Sequence, residues 1–272
     1  KIINKLLYKY YTREGNMYTY LFYFLIYSFL GWLLEVCYAA LNTKQFINRG
    51  FLNGPYCPIY GVGVMTIMYF VYPFKKNLIF LFILSIVLTS LIELITGFIL
   101  EKAFHYRWWD YSNVPFNLGG YICLKFSIIW GLACVFVTEI IHPVVNDIIN
   151  WTPRTIGEIV ITIFLILITV DFIVTVKTVL KLNARMKRLQ LIADDIHKFS
   201  DKIGSKVTTD FLTIHDKAEK LKEAREKMFS ERISWLERRI ITSFPDMKST
   251  RYSNIFKDIR NRVFDRNKKN NL

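Results

Sequence analysis

The sequence predicts an all-α protein: a polytopic membrane helix bundle of about five transmembrane helices, followed by a C-terminal helical hairpin or coiled coil. Three observations carry that prediction. Of 272 residues, 53% are hydrophobic and 16% aromatic, yet 36 are Lys or Arg. The two populations are segregated, because 23 basic and 13 acidic residues lie from Lys181 onward, a net of +10 out of the chain's +14. The apolar residues form runs near the length of about 20 residues that crosses a hydrocarbon core of about 30 Å.

The elements follow in order. Residues 1–17 form a basic N-terminal segment with Lys1, Lys5, Lys9 and Arg13. A transmembrane domain over 18–181 contains spans at about 18–41, 56–72, 78–100, 118–141 and 156–180. Each span except the second carries acidic or basic residues: Glu35, Glu93, Lys125 with Glu139, and Asp171. The second starts in Pro and Gly, ends at Pro73, and is short enough to be a re-entrant element followed by a short helix. The basic tail directly after the fifth span argues for a cytoplasmic C-terminus, and five spans then put the N-terminus outside. Lys75 and Lys76 would lie outside as well, against the usual bias.

In the tail, Leu182, Met186, Leu189, Ala193, Ile196 and Ile203 follow 4-3 spacing, so they lie on one helical stripe. Gly204 and Ser205 punctuate it, and Thr208, Thr209 and Asp210 can cap a new start. Phe211, Ile214, Ala218, Leu221, Ala224 and Met228 continue the stripe until Pro245 ends it. Two helices about a short turn over 182–244 predict an antiparallel hairpin, or a coiled coil through which the chain forms a homo-oligomer. Residues 245–272 read as a basic, loosely ordered terminus. Beside a bilayer, the partner of so basic a tail is anionic membrane lipid rather than nucleic acid, each basic group contributing about 1 kcal/mol.

Two blocks between apolar runs stand out: residues 49–61 and residues 101–112. A membrane chain usually places plain polar loops there, whereas these are dense in Gly, Pro, aromatics and charges. Irregular backbone at membrane depth is tolerated only when buried in protein or lining a wet cavity. In the first block Arg49, Asn53 and Tyr56 supply polar groups, and Gly54-Pro55 reads as a turn or helix start where an anion could sit near Arg49. In the second, Glu101, His105, Arg107 and Asp110 exceed what an aromatic belt needs: Arg107 could pair with Asp110 or Glu101 as a salt-bridged lid, or bind a phosphate or carboxylate through two hydrogen bonds.

Glu35 and Glu93 lie inside spans, where a charge costs about 2.5–3.5 kcal/mol on insertion scales and usually faces a cavity or partner. Glu93, Gly97 and Glu101 share a helix face through their i, i+4, i+8 spacing, which suggests a polar pathway or a cation or proton site. Glu139 and His142 have the spacing of a metal pair, but one copy followed by Pro143 does not make a centre. Asp171, near Thr175 and Lys177, reads as a polar contact. Cys37, Cys57, Cys123 and Cys134 show neither zinc-like nor CxxC spacing. There is no GxSxG, no HExxH and no P-loop, so no hydrolase or ATPase signature marks the chain as an enzyme. The sequence calls for no cofactor.

Gly31-Trp32-Leu33-Leu34-Glu35-Val36, the 49–63 stretch, the block from Glu93 through Thr96-Gly97 to Ser112, and Phe116-Asn117 with Gly120-Tyr121-Ile122-Cys123-Leu124 follow one another in order. With Ser127 and Trp130-Gly131 they resemble the bacterial ABC-transporter type IV (CmpB) membrane family over roughly residues 20–145. The resemblance implies the permease component of an ABC-type transport system in the bacterial cell membrane, driven by a separate ABC ATPase subunit. A polar substrate or ion pathway would then involve Glu35, Arg49, Asn53, Tyr56, Glu93, Glu101, His105, Arg107, Asp110 and Asn117. Two other readings stand beside it: a membrane scaffold or sensor acting through its basic helical tail, and an intramembrane enzyme acting on a lipid headgroup.

Overall fold

The computed structural model describes residues 17–205, 219–221, 223, 224, 226 and 233–270. The N-terminal basic segment therefore lies outside the described residues, apart from Met17. The helices are α1 (Met17–Thr43), α2 (Pro58–Phe70), α3 (Leu78–Phe104), α4 (Leu124–Phe136), α5 (His142–Trp151), α6 (Arg154–Ser205), α7 (Trp235–Ser243) and α8 (Ser253–Asn270). Short strands β1 (Tyr106–Arg107), β2 (Asn117–Leu118), β3 (Ile122–Cys123) and β4 (Lys248–Ser249) pair antiparallel as β1 with β4 and β2 with β3. The described residues fall into two units. One lies within Lys1–Leu100 and Trp108–Thr175, the other within Glu101–Arg107 and Val176–Leu272.

The first unit is a membrane helix bundle. Among the described residues four helical stretches are long and apolar enough to cross a bilayer: Met17–Thr43, Leu78–Phe104, Leu124–Trp151 and Arg154–Ile196. The second predicted span is different. Its helix, α2, has 13 residues, which at 1.5 Å per residue reach only about 20 Å. The packing shows how the chain makes up the distance. Tyr60 lies against Gly31, Gly61 against Phe24 and Ser28, and Tyr69 against Tyr20, so α2 runs antiparallel to α1. The backbone N–H of Cys57 donates to the carbonyl of Ser28, in the middle of α1. The second passage is thus composite, with irregular chain through Arg49–Cys57 leading into a half-length helix.

The remaining directions follow from contacts. Gly157 meets Tyr18 and Phe22, and Phe164 meets Phe24 at 5.9 Å, so α6 runs parallel to α1. Gly131 meets Phe82 and Ile86, Ser90 donates to Ser127, and Gly97 meets Tyr121, so α3 and α4 are antiparallel. Five passages result, with α1 beginning on the face opposite to that toward which α6 runs. The core at the end where α1 starts contains Phe22, Tyr23, Tyr27, Ile67, Met68, Val71, Tyr72, Leu81, Val145 and Ile149.

The fourth span departs from its predicted bounds of 118–141. Phe116, Gly119 and Gly120 adopt positive φ, and that turn chemistry folds 117–123 into a hairpin instead of helix. The helix starts at Leu124, widens into a π turn over Val137–Ile141 and continues as α5. Pro143, which lacks an N–H, sits directly after the wide turn. Such turns accommodate a break in the ladder without ending the helix.

In the second unit, α6 continues unbroken from the fifth span to Ser205. Val179, Leu182, Met186 and Leu189 are fully or almost fully buried along it, as their 4-3 spacing predicts. The turn and much of the second arm of the expected hairpin lie outside the described residues. What is described after it differs from a single long arm. α7 is a separate short helix, started by a capping box in which Ser234 and Glu237 satisfy each other's backbone N–H groups. Nor is the terminus loose, since 245–272 contains β4 and α8. Ile255, Phe256, Ile259 and Val263 bury one face of α8, and Phe256 lies against Tyr106, with ring centres 5.3 Å apart.

Candidate functional site

The composite passage is held by one carboxylate. Asp171 Oδ1 accepts from Asn53 Nδ2 at 2.6 Å and from Thr175 Oγ1 at 3.3 Å. Its Oδ2 accepts from the Gly54 N–H at 2.7 Å and from Tyr56 Oη at 3.0 Å. Four donors from two directions replace the water that a carboxylate loses in this setting, and they fix the loop to α6. Asn48 braces the same loop: its Oδ1 accepts from Trp32 Nε1 and the Gly50 N–H, and its Nδ2 donates to the Asn53 carbonyl. Irregular backbone here is satisfied by side chains, as membrane depth demands. Asn53 and Tyr56 therefore serve an anchor, and its centre, Asp171, is a residue that the candidate set omits.

Glu35 and Arg49, read separately in the sequence, come together in the structure. Tyr60 Oη donates to Glu35 Oε1 at 2.6 Å, and Arg49 Nε lies 3.7 Å from Oε2. The Arg49 guanidinium also sits over the Tyr38 ring, 5.3 Å from its centre. Of the two readings of Gly54-Pro55, a turn or a helix start, the structure has a bend there, and the helix begins at Pro58. Arg49 faces Glu35 rather than a free helix end.

Glu93 is the contrasting carboxylate. It is buried, with 9% of its surface exposed, and its Oε1 accepts from Tyr111 Oη at 3.1 Å. Its Oε2 is buried and has no hydrogen-bond partner among the described residues. The Tyr111 ring stacks on Phe126 at 4.9 Å, and Tyr60 packs edge-on against Trp130 at 5.6 Å. Burial first, then the neighbouring Glu93 and Glu35 carboxylates, pushes the Tyr111 phenol well above its ordinary range, so it stays a donor. The polar cluster of the bundle consists of two carboxylate–phenol pairs, Glu35 with Tyr60 and Glu93 with Tyr111. The two tyrosines are absent from the candidate set. An aromatic residue inside an apolar run carries no local mark of the carboxylate that it will meet.

The other candidates divide. Asp110 Oδ1 accepts from the Ser112 N–H at 3.0 Å and from Ser112 Oγ, closing a turn. Asn117 Nδ2 donates to the Ser112 and Val114 carbonyls while its Oδ1 accepts from the Gly120 N–H, stapling the hairpin. Glu101, His105 and Arg107 belong to the second unit. Arg107 Nε donates to Glu101 Oε2 at 3.0 Å. His105 has φ +59, and its carbonyl accepts from the N–H and hydroxyl of Thr250. As for the Glu139–His142 pair, Glu139 is exposed, whereas His142 is fully buried with Nδ1 on Tyr27 Oη at 3.0 Å and Nε2 on Asn146 Nδ2 at 3.2 Å. The imidazole is committed to a structural knot.

The model of the family described as Putative ABC-transporter type IV matches residues 22–176. The chain belongs to this family. The matched stretch contains the Asp171 anchor and the whole Glu35–Tyr60–Tyr111–Glu93 cluster. The continuation of α6 beyond residue 176, with α7, β4 and α8, lies outside it. Neither the curated proteins nor the solved structures contain a match to the chain.

Proposed function

We propose that this ABC-transporter type IV family member is the membrane permease component of an ATP-driven transport system, with its polar site in the Glu35–Tyr60–Tyr111–Glu93 cluster. The observation that carries the reading is the composite second passage. Many secondary transporters place substrate and ion sites where a membrane helix is interrupted, because the break brings polar backbone and side chains to a depth that a continuous helix keeps apolar, and the same physics supports a site here. Here the break lies at Arg49–Cys57, and Glu35 and Tyr60 flank it. ATP hydrolysis falls to a separate ABC ATPase subunit, since the sequence holds no P-loop. The tail's net charge of +10 supports a cytoplasmic position near anionic lipid, by the bias of basic segments toward that side.

Neutralising both carboxylates tests the role of the site. A strain of the native host carrying Glu35→Gln and Glu93→Gln is expected to reproduce the fitness profile of a deletion strain over a panel of nutrients and toxic compounds. The amount of protein in the membrane should stay unchanged. A wild-type profile in the double mutant would remove the cluster from the transport path.

A further inference from the structure

We infer that the Glu93 cluster binds an organic cation, an amine or a quaternary ammonium group. This names the substrate class of the site proposed above and rests on that reading.

Charge accounting comes first. Among the described residues, three acidic side chains in the helices of the first unit are not exposed: Glu35, Glu93 and Asp171. Glu35 has Arg49 at 3.7 Å, and Asp171 has four hydrogen-bond donors. Glu93 has one neutral phenol and an Oε2 that no described residue satisfies. A carboxylate buried to nine-tenths with an orphan oxygen is costly unless it holds a proton or a cation accompanies it.

The surroundings choose the kind of cation. Tyr60 and Tyr111 meet the two carboxylates through their hydroxyls, Trp130 packs edge-on against Tyr60, and Phe126 stacks on Tyr111 with Lys125 Nζ 5.9 Å from its ring centre. Aromatic faces attract alkylated ammonium groups and tolerate their apolar substituents. A hard metal ion needs several oxygen ligands, and the described residues hold no group of three His, Cys, Asp or Glu side chains that could supply them. Gly97 on the same helix face as Glu93 lets Trp109 and Tyr121 approach, a Cβ there coming within 3.1 Å of the Trp109 ring. The face around Glu93 is therefore aromatic on more than one side.

The test uses the full chain in lipid nanodiscs, without any ATPase, and follows intrinsic tryptophan fluorescence and calorimetry. The probes are ethylammonium, choline and choline's uncharged carbon isostere. Saturable binding of at least one of the two cations, with none of the isostere, is expected. Glu93→Gln should weaken it by about tenfold or more, the order expected of a desolvated cation–carboxylate contact. Tyr111→Phe should weaken it by less while keeping the fold, which guards against a Glu93 variant that fails to fold. Binding of neither cation, or unchanged affinity in both variants, would overturn the inference. The same holds if infrared spectra show Glu93 holding a proton that neither cation displaces. Since no ATPase takes part, cation binding without an ATPase partner would keep this inference and sink the permease reading, and the converse result would do the opposite.

Discussion

Replacing Asp171 by alanine is expected to release the loop that makes the second membrane passage possible. The substitution removes one side chain and strands the Gly54 N–H and the Tyr56 hydroxyl, while the Asn53 amide keeps only Thr175 of its two acceptors. Leaving a buried polar group unmade costs about 1–3 kcal/mol. With three donors involved and some access to water after release, a loss of about 3 kcal/mol follows. The change should show as a lower thermal midpoint in detergent and as a local opening. Cys57 reports the opening, because it is 5% exposed and lies directly after the anchored residues. Maleimide modification of the Cys57 peptide, read by mass spectrometry, should be slow in the parent and fast in D171A. Equal labelling in both would mean that the loop holds its place without the anchor.

The second large effect is expected at Gly61. A Cβ built there meets Ser28 Oγ and comes within 2.7 Å of both the Phe24 ring and the Phe24 carbonyl oxygen. The carbonyl belongs to α1 backbone and cannot turn aside, so α2 would have to move off α1. Overpacking of this kind costs about 1–3 kcal/mol, and Gly61→Val should sit at the upper end because its branched side chain extends the clash. The helix contact also sets where Tyr60 delivers its hydrogen bond to Glu35. A lowered midpoint by fluorescence-detected size-exclusion chromatography is therefore expected together with loss of the transport phenotype. Gly63→Val is the matched control, since a Cβ there meets nothing within 4 Å. Equal stability of the two variants would contradict the close approach of α1 and α2.

Hydropathy alone showed the passages, because burial in lipid demands long apolar runs whatever their partners. The unusual character of residues 49–61 was also legible, since three glycines and two prolines cannot form a regular span. What those residues touch was not. Asn53 and Asp171 are separated by 118 positions, and no local pattern joins them. Tyr111 reaches Glu93 only because the chain turns back after α3. The same limit hid the pairing of Arg107 with Lys248 in β1 and β4. Local signals in the tail were legible in part. The charges from Lys181 onward suggest a boundary, and the two units divide close to it, at Thr175 and Val176, within the continuous helix α6. Polarity in 245–272 suggested a loose terminus, although Ile255, Phe256, Ile259 and Val263 already carry the spacing of one buried face. Sparse apolar residues suffice when a partner surface is present.

The measurement that bears most directly on the central claim is a mild-detergent pulldown of the tagged, full-length chain from its native membrane, with mass spectrometry of what accompanies it. The account predicts a stoichiometric ABC ATPase that remains bound to the E35Q/E93Q variant, because those substitutions alter the polar site and not the surface that meets a soluble subunit. Repeated pulldowns that recover the intact chain with no ATPase would contradict the assignment of this protein as a permease component.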